Sequence, residues 1–140
     1  RLHEKGVRVR FVGNLALLPK EVRECFARVS AATGQGTQLT FTLCVAHGGK
    51  DEITRAAQSA CAAGEVLTES TIAAHFDDPA MPPLDLVIRT GGAQRLSNFL
   101  LWQAAYAELY FTPVLWPEFT PGDLEQALDF FREQQSNFGK

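Results

Sequence analysis

Two arginines and a serine within nine residues carry the chain's most legible chemistry: Arg89, Arg95 and Ser97. A glycine pair, Gly91-Gly92, lies between the arginines. A guanidinium is a planar fork of N–H donors that matches two phosphate oxygens at once. Glycine lets the backbone come close to an anion. Ser97-Asn98 precede a dense apolar run, Phe99 to Tyr106, and that arrangement predicts a helix with Ser97 as its cap. The first amides of such a helix and its dipole favour a phosphate. The stretch therefore reads as a diphosphate site at a strand-to-helix turn. Taken singly, Arg89 reads as a strand-end arginine paired with an acid such as Asp85, and Ser97 as no more than a cap.

The elements that must position these groups follow from periodicity. Val7 to Val12 alternates valine with arginine as far as Phe11 and predicts a strand ending at Gly13-Asn14. Pro19 suits a helix start, and Val22, Cys25, Phe26 and Val29 form one helical stripe closed by Gly34-Gln35-Gly36. Leu39 to Val45 is expected as a strand of the buried kind, ending at Ala46-His47-Gly48-Gly49. A second helix is expected over Lys50 to Ala63, with Ile53, Ala56, Ala57, Ala60 and Cys61 inward, and a short one after a Thr68 cap, ending near His75 and Phe76. Asp77 to Pro83 reads as a loop, with Asp77 and Asp78 solvated. Leu84 to Ile88 is the strand that delivers Arg89. Glu108 to Phe111 is a last short strand, and Thr120-Pro121 caps a final helix facing inward with Leu124, Ala127, Leu128 and Phe131.

Strand and helix alternate, so the expected fold class is α/β, a mostly parallel sheet covered by helices. Ligands of such sheets bind beyond the carboxyl ends of the strands. Gly13-Asn14, Gly48-Gly49 and Arg89 to Gly92 are then expected along one edge.

At 140 residues the chain reads as one domain, long enough to bury roughly two-thirds of its unfolded surface. A net charge of -3 provides no basic field for nucleic acid. No apolar run reaches ~18 residues, the length a membrane-crossing helix needs, and the charged Arg1 to Lys5 does not read as a signal peptide. Cys25, Cys44 and Cys61 are odd in number and unpaired in spacing; they read as buried free thiols in a reducing cytoplasm. His47 reads as a packed or hydrogen-bonded histidine before it reads as a catalytic base. His3 and His75 read as surface or helix-end residues. Trp102, Tyr106, Tyr110, Phe111 and Trp116 read as core or interface.

The blocks IRTGG, RLSNFLLWQ, AYAELYF and LWPEF, in this order between Ile88 and Phe119, resemble the signature of the cis-prenyltransferases, whose bacterial members are undecaprenyl diphosphate synthases. Weaker resemblance extends from Val7 to Gly139. The resemblance implies an undecaprenyl diphosphate synthase-like fold and a reaction joining isopentenyl diphosphate to an allylic, farnesyl-like diphosphate with a new Z double bond. It implies magnesium to offset the diphosphate charge, a homodimer, and transient membrane contact when the greasy product leaves. Residue by residue, Arg89, Arg95 and Ser97 match the family's isopentenyl diphosphate clamp, Glu108 its magnesium-associated carboxylate, and Gly48, Gly49 and Trp102 positions of structural type.

The chain also departs from the family. Asn-Tyr-Gly-Gly-Arg is usual where this chain has Ala46-His47-Gly48-Gly49-Lys50; Ala93 replaces a glutamate, Asn14 an aspartate, and Asn137-Phe138-Gly139 an Arg-x-Gly. The family's Asp-Gly-Asn motif, which handles magnesium and the allylic diphosphate, does not occur between Arg1 and Lys140. The chain is therefore expected to correspond to the C-terminal portion of the family's domain, supplying the isopentenyl diphosphate site. A non-catalytic partner subunit of a heteromeric cis-prenyltransferase is the alternative: Ala46, Ala93 and Asn137 favour it, and Arg89, Arg95, Ser97 and Glu108 oppose it. An unrelated phosphate-binding module would require the RLSNFLLWQ match to be accidental.

Overall fold

The structure is a computed structural model that describes residues 2–135. The chain divides into two compact units, Arg1–Ala80 and Met81–Lys140.

The first unit is built on β1 (Val7–Val12) and β2 (Leu39–Cys44), paired in parallel from Val7 opposite Leu39 to Val12 opposite Cys44. Val7, Val9 and Val12 are buried, while Arg8 and Arg10 are half-buried, as the alternation predicts. Helix α1 (Lys20–Thr33) follows Pro19 and packs on β1. Phe26 stacks on Phe11 with centroids 3.9 Å apart. At its far end the Thr33 hydroxyl accepts the Val9 N–H at 3.0 Å and donates to the Val29 carbonyl at 2.8 Å, so this strand amide is not left bare. Helix α2 (Gly49–Ala62) buries Gly49, Glu52, Ala56 and Ala60 along one face. Helix α3 (Glu69–Ala74) starts at the expected Thr68: the Thr68 hydroxyl accepts the Thr71 N–H at 3.1 Å, and the Thr71 hydroxyl accepts the Thr68 N–H at 2.8 Å. His75 then ties α3 to α2, with Nδ1 2.8 Å from the Ser59 hydroxyl and Nε2 3.3 Å from Glu65.

Three expectations for this unit fail. β2 is not a buried strand: Leu39, Phe41 and Leu43 are 59%, 45% and 38% exposed. Alternate residues of a strand point to opposite faces, and these three share a face that is open. Cys25 and Cys61 are exposed and only Cys44 is half-buried, because the two helical cysteines fall beside their inward stripes rather than in them. Asp77 and Asp78 are not solvated. Asp78 is 4% exposed and paired with Arg10 at 2.7 Å, and Asp77 is held by both Nη atoms of Arg55 at 2.6 and 2.7 Å.

The second unit pairs β3 (Leu86–Arg89) with β4 (Glu108–Phe111) in parallel, Leu86 opposite Glu108 and Arg89 opposite Phe111. Helix α4 (Pro121–Gln135) packs on β4, where Tyr110 meets Phe130 at 5.4 Å. Thr120 opens α4 by donating its N–H and hydroxyl to the Asp123 carboxylate at 2.8 and 2.6 Å. Those bonds hold the Asp123 pKa below the usual carboxylate value. Ala127 is fully buried, but Leu124 is 42% exposed and does not face inward as expected. Both strand pairs are parallel and carry helices, the α/β class anticipated.

The helix expected over Phe99 to Tyr106 is absent, and the segment is a succession of turns. Ser97, Asn98 and Leu100 have φ of 51°, 66° and 41°, and left-handed residues cannot continue a right-handed helix. One helical bond does form, from the Ala104 N–H to the Leu100 carbonyl at 2.8 Å. Both residues are buried, so the apolar spacing is used for burial without a helix.

Candidate diphosphate-binding site

Arg89 is the last residue of β3, and the parallel register places it at the carboxyl end of the strand pair. Beyond it Gly91 and Gly92 adopt φ of 86° and 78°, values open to glycine at little cost. Their N–H groups are used: Gly91 donates to the Val114 carbonyl at 2.8 Å and Gly92 to that of Thr112 at 2.9 Å. The turn is thus fastened to the chain leaving β4 and returns Arg95 and Ser97 to Arg89. Arg89 Nη1 donates to Ser97 Oγ at 2.8 Å and also to the Arg95 carbonyl. Val87, Ile88, Arg89, Arg95, Leu96 and Phe99 line a cleft of ≈ 180 Å³ at this point.

All three residues expected to hold a diphosphate therefore meet in one place, for a reason that differs from the expectation. With the Gly91 and Gly92 amides paired to carbonyls and no helix beginning at Ser97, neither those two amides nor a helix dipole contributes there. The arginine and serine side chains carry the chemistry. Two guanidinium groups border the cleft, and Ser97, which accepts from Arg89, keeps one hydroxyl proton to donate. Apolar Val87, Ile88, Leu96 and Phe99 surround the charges and suit a ligand with a hydrocarbon body and an anionic head.

Glu108 does not join them. It opens β4 opposite Leu86, while Arg89 lies opposite Phe111. Three residues of strand separate the levels, roughly 10 Å at ~3.3 Å per residue. Glu108 is therefore not placed to share a metal ion with Arg89 of its own unit.

A comparison with known families places residues 1–139 in the sequence profile of undecaprenyl diphosphate synthases. The chain belongs to that family. It is 45% identical to an isoprenyl transferase of Treponema pallidum over 97% of its own length and 62% of that protein's. It is 40% identical to the isoprenyl transferase of Neisseria gonorrhoeae over 100% of its length and 57% of the relative's. Among solved structures, a probable undecaprenyl diphosphate synthase from Campylobacter jejuni superposes with a TM-score of 0.90 at 36% identity, covering 100% of this chain and 66% of that one. Lavandulyl diphosphate synthase from Lavandula x intermedia, solved with dimethylallyl diphosphate, superposes at 0.84 and 32% identity over 90% of this chain and 57% of that one. The chain thus spans about three-fifths of the length of its curated relatives.

Family membership gives Ala46 a physical reading. Ala46 has φ of 50°, where asparagine, the usual family residue, is better tolerated than alanine. Its carbonyl accepts the Asn14 N–H at 3.2 Å, which ties the ends of β1 and β2. Ala93 is half-buried within the Arg89–Arg95 turn, while Asn137 lies outside the described residues. The pairing of Asp77 and Asp78 with arginines escaped the sequence reading. Its available signal was Arg10 in β1 and Arg55 in α2, each a charge otherwise unexplained beside an apolar neighbour. No helix among the described residues is long and apolar enough to cross a membrane.

Proposed function

We propose that this chain supplies the isopentenyl diphosphate site of a cis-prenyl chain-elongating transferase. The observation that carries the reading is that Arg89 and Arg95 line one cleft at the carboxyl end of β3 while Ser97 is bonded to Arg89 beside it. In this reading the two guanidinium groups take the diphosphate oxygens and Ser97 donates one further bond. The apolar lining receives the five-carbon body, so that its double bond is held for attack on an allylic, farnesyl-like diphosphate. Positioning of the nucleophile is the chain's main contribution to rate. Magnesium would offset charge on the diphosphates. Homodimerisation and brief membrane contact during release of a polyprenyl product belong to the same proposal, resting on family membership alone.

A second reading is supported by Ala46 and Ala93, which replace polar residues usual in the family. It makes the chain a non-catalytic subunit of a heteromeric transferase. The intact arginine clamp weighs against it.

One experiment separates them. The full-length protein is given labelled isopentenyl diphosphate, farnesyl diphosphate and magnesium, beside an Arg89→Ala Arg95→Ala variant. Elongation by the protein and none by the variant is the expected result. No elongation by a folded protein alone, restored by adding a second family subunit, would replace the first reading with the second.

A further inference from the structure

We propose that His47, Glu52 and Asp77, all in the first unit, form a binding site for a zinc-class divalent ion. One ligand atom from each side chain lies within 4.8 Å of the other two. They come from three segments of the first unit: His47 from the turn after β2, Glu52 from the first turn of α2, and Asp77 from the chain beyond α3. Such convergence from separate segments makes the site a product of the fold rather than of a local acidic run.

Each ligand is held in place. A side chain at Gly13 would meet the Val45 carbonyl oxygen at 2.1 Å and His47 Cβ at 3.2 Å, so the end of β1 closes directly against the His47 turn. Glu52 is 1% exposed, the largest fully buried side chain described. Asp77 is oriented by Arg55, itself tied to Asp51 at 2.8 Å. A carboxylate offers about four lone-pair sites, and the Arg55 fork uses two, so Asp77 keeps capacity for an ion while its orientation is fixed from behind. Hydrogen-bonded ligands of this kind are usual around bound metals.

The donor set selects the ion. One imidazole nitrogen with two carboxylates suits zinc and its neighbours, whereas magnesium favours an all-oxygen octahedron with several waters. Ligand atoms about a tetrahedral zinc lie ~3.4 Å apart, given bonds of ~2.0–2.2 Å. Where atoms lie at the wide end of the 4.8 Å limit the set must contract modestly about Asp77, which rotation of half-buried His47 allows. An ion here would join the β2–α2 turn to the chain beyond α3 and stabilise the unit by mass action.

The test uses the full chain, stripped of metal and titrated with zinc by calorimetry in excess magnesium, with cobalt(II) absorption as a second readout. One zinc per chain is expected, with a cobalt spectrum of low coordination number. His47→Tyr introduces the aromatic residue usual in the family and so keeps the turn filled; it should weaken zinc binding at least tenfold, as should Asp77→Asn. His75→Ala, outside the site, should change nothing. Circular dichroism and thermal melting verify that each variant is folded. Absence of stoichiometric zinc binding by the folded chain, or unchanged zinc affinity in folded His47→Tyr, overturns the proposal, as does loss of binding in His75→Ala.

Discussion

Replacing Arg89 by alanine should weaken diphosphate binding more than its charge alone accounts for. Arg89 has two tasks in the structure. Its guanidinium borders the cleft, and its Nη1 holds Ser97 Oγ at 2.8 Å together with the Arg95 carbonyl. A hydrogen bond to a charged group contributes about 1.5–3 kcal/mol, the lower part of that range applying to a half-exposed group. At 1.4 kcal/mol per tenfold, that lower part, about 1.5–2.2 kcal/mol, means Arg89→Ala should raise the dissociation constant for isopentenyl diphosphate roughly 10- to 40-fold. Ser97→Ala removes one neutral donor, about 0.5–1.5 kcal/mol or roughly 2- to 12-fold. Because the two residues share a bond, the double variant should lose less than the sum of the single losses. Arg89→Lys should recover only part of the affinity, since an ammonium is a point charge without the fork. Calorimetry with isopentenyl diphosphate at two salt concentrations measures all four variants, and the loss should shrink at high salt because the site is partly open to solvent. The Arg89 backbone is held independently, its carbonyl accepting the Thr112 N–H at 3.0 Å, so strand pairing survives the substitution. Unchanged affinity in Arg89→Ala, or strict additivity with Ser97→Ala, would refute the clamp geometry.

Two further outcomes are expected. Ala46→Asn should stabilise the chain by about 0.5–1 kcal/mol, because asparagine relieves part of the roughly 1–2 kcal/mol that alanine spends in the left-handed region; denaturant unfolding measures it, and a lower midpoint would contradict the reading. Cys44 should alkylate more slowly than the exposed Cys25 and Cys61 at pH 8, since burial, followed by the charges of Glu52 and Asp77, raises its pKa above 9.0. The same shift has a stability consequence: the fold favours the protonated thiol, so its contribution is complete below pH 9 and declines as pH rises through the folded value. A Cys44→Ser variant should lack that decline, and mass spectrometry after timed alkylation ranks the three thiols.

Local patterns with a single geometric solution were readable in advance. The Val–Arg alternation of β1 has one arrangement that buries valine and half-covers arginine, and it is the observed one. Thr68 and Thr120 sit before helices with side chains short enough to cap them, and both do so. The limits Glu108 and Phe111 of β4 also match, bracketed by an irregular segment before and by proline after. Patterns that depend on what lies opposite were not readable. LTFTLC is rich in strand-forming residues with one wholly apolar face, which suits a covered strand, yet Leu39, Phe41 and Leu43 on that face meet open space. Asp77-Asp78 beside prolines has the composition of a solvated loop. Only the distant Arg10 and Arg55 make it a pair of ion-paired, largely buried acids.

In the cleft, Arg89, Arg95 and Ser97 meet for a reason other than the one their sequence context suggests. Arg89, Arg95 and Ser97 were chosen for a turn whose glycine amides and helix terminus would add to the arginines. In the structure those amides close the turn onto the carbonyls after β4, and the left-handed Ser97, Asn98 and Leu100 forestall the helix. Backbone donors are fixed in place, whereas arginine forks are long and adaptable. A cleft that relies on forks alone has to be organised by something, and here Arg89 organises it by binding the Arg95 carbonyl and the Ser97 hydroxyl before any ligand arrives. Part of one fork is thus spent on preorganisation. That is why the consequences of losing Arg89 should exceed those of losing Ser97, and why the two losses should not add.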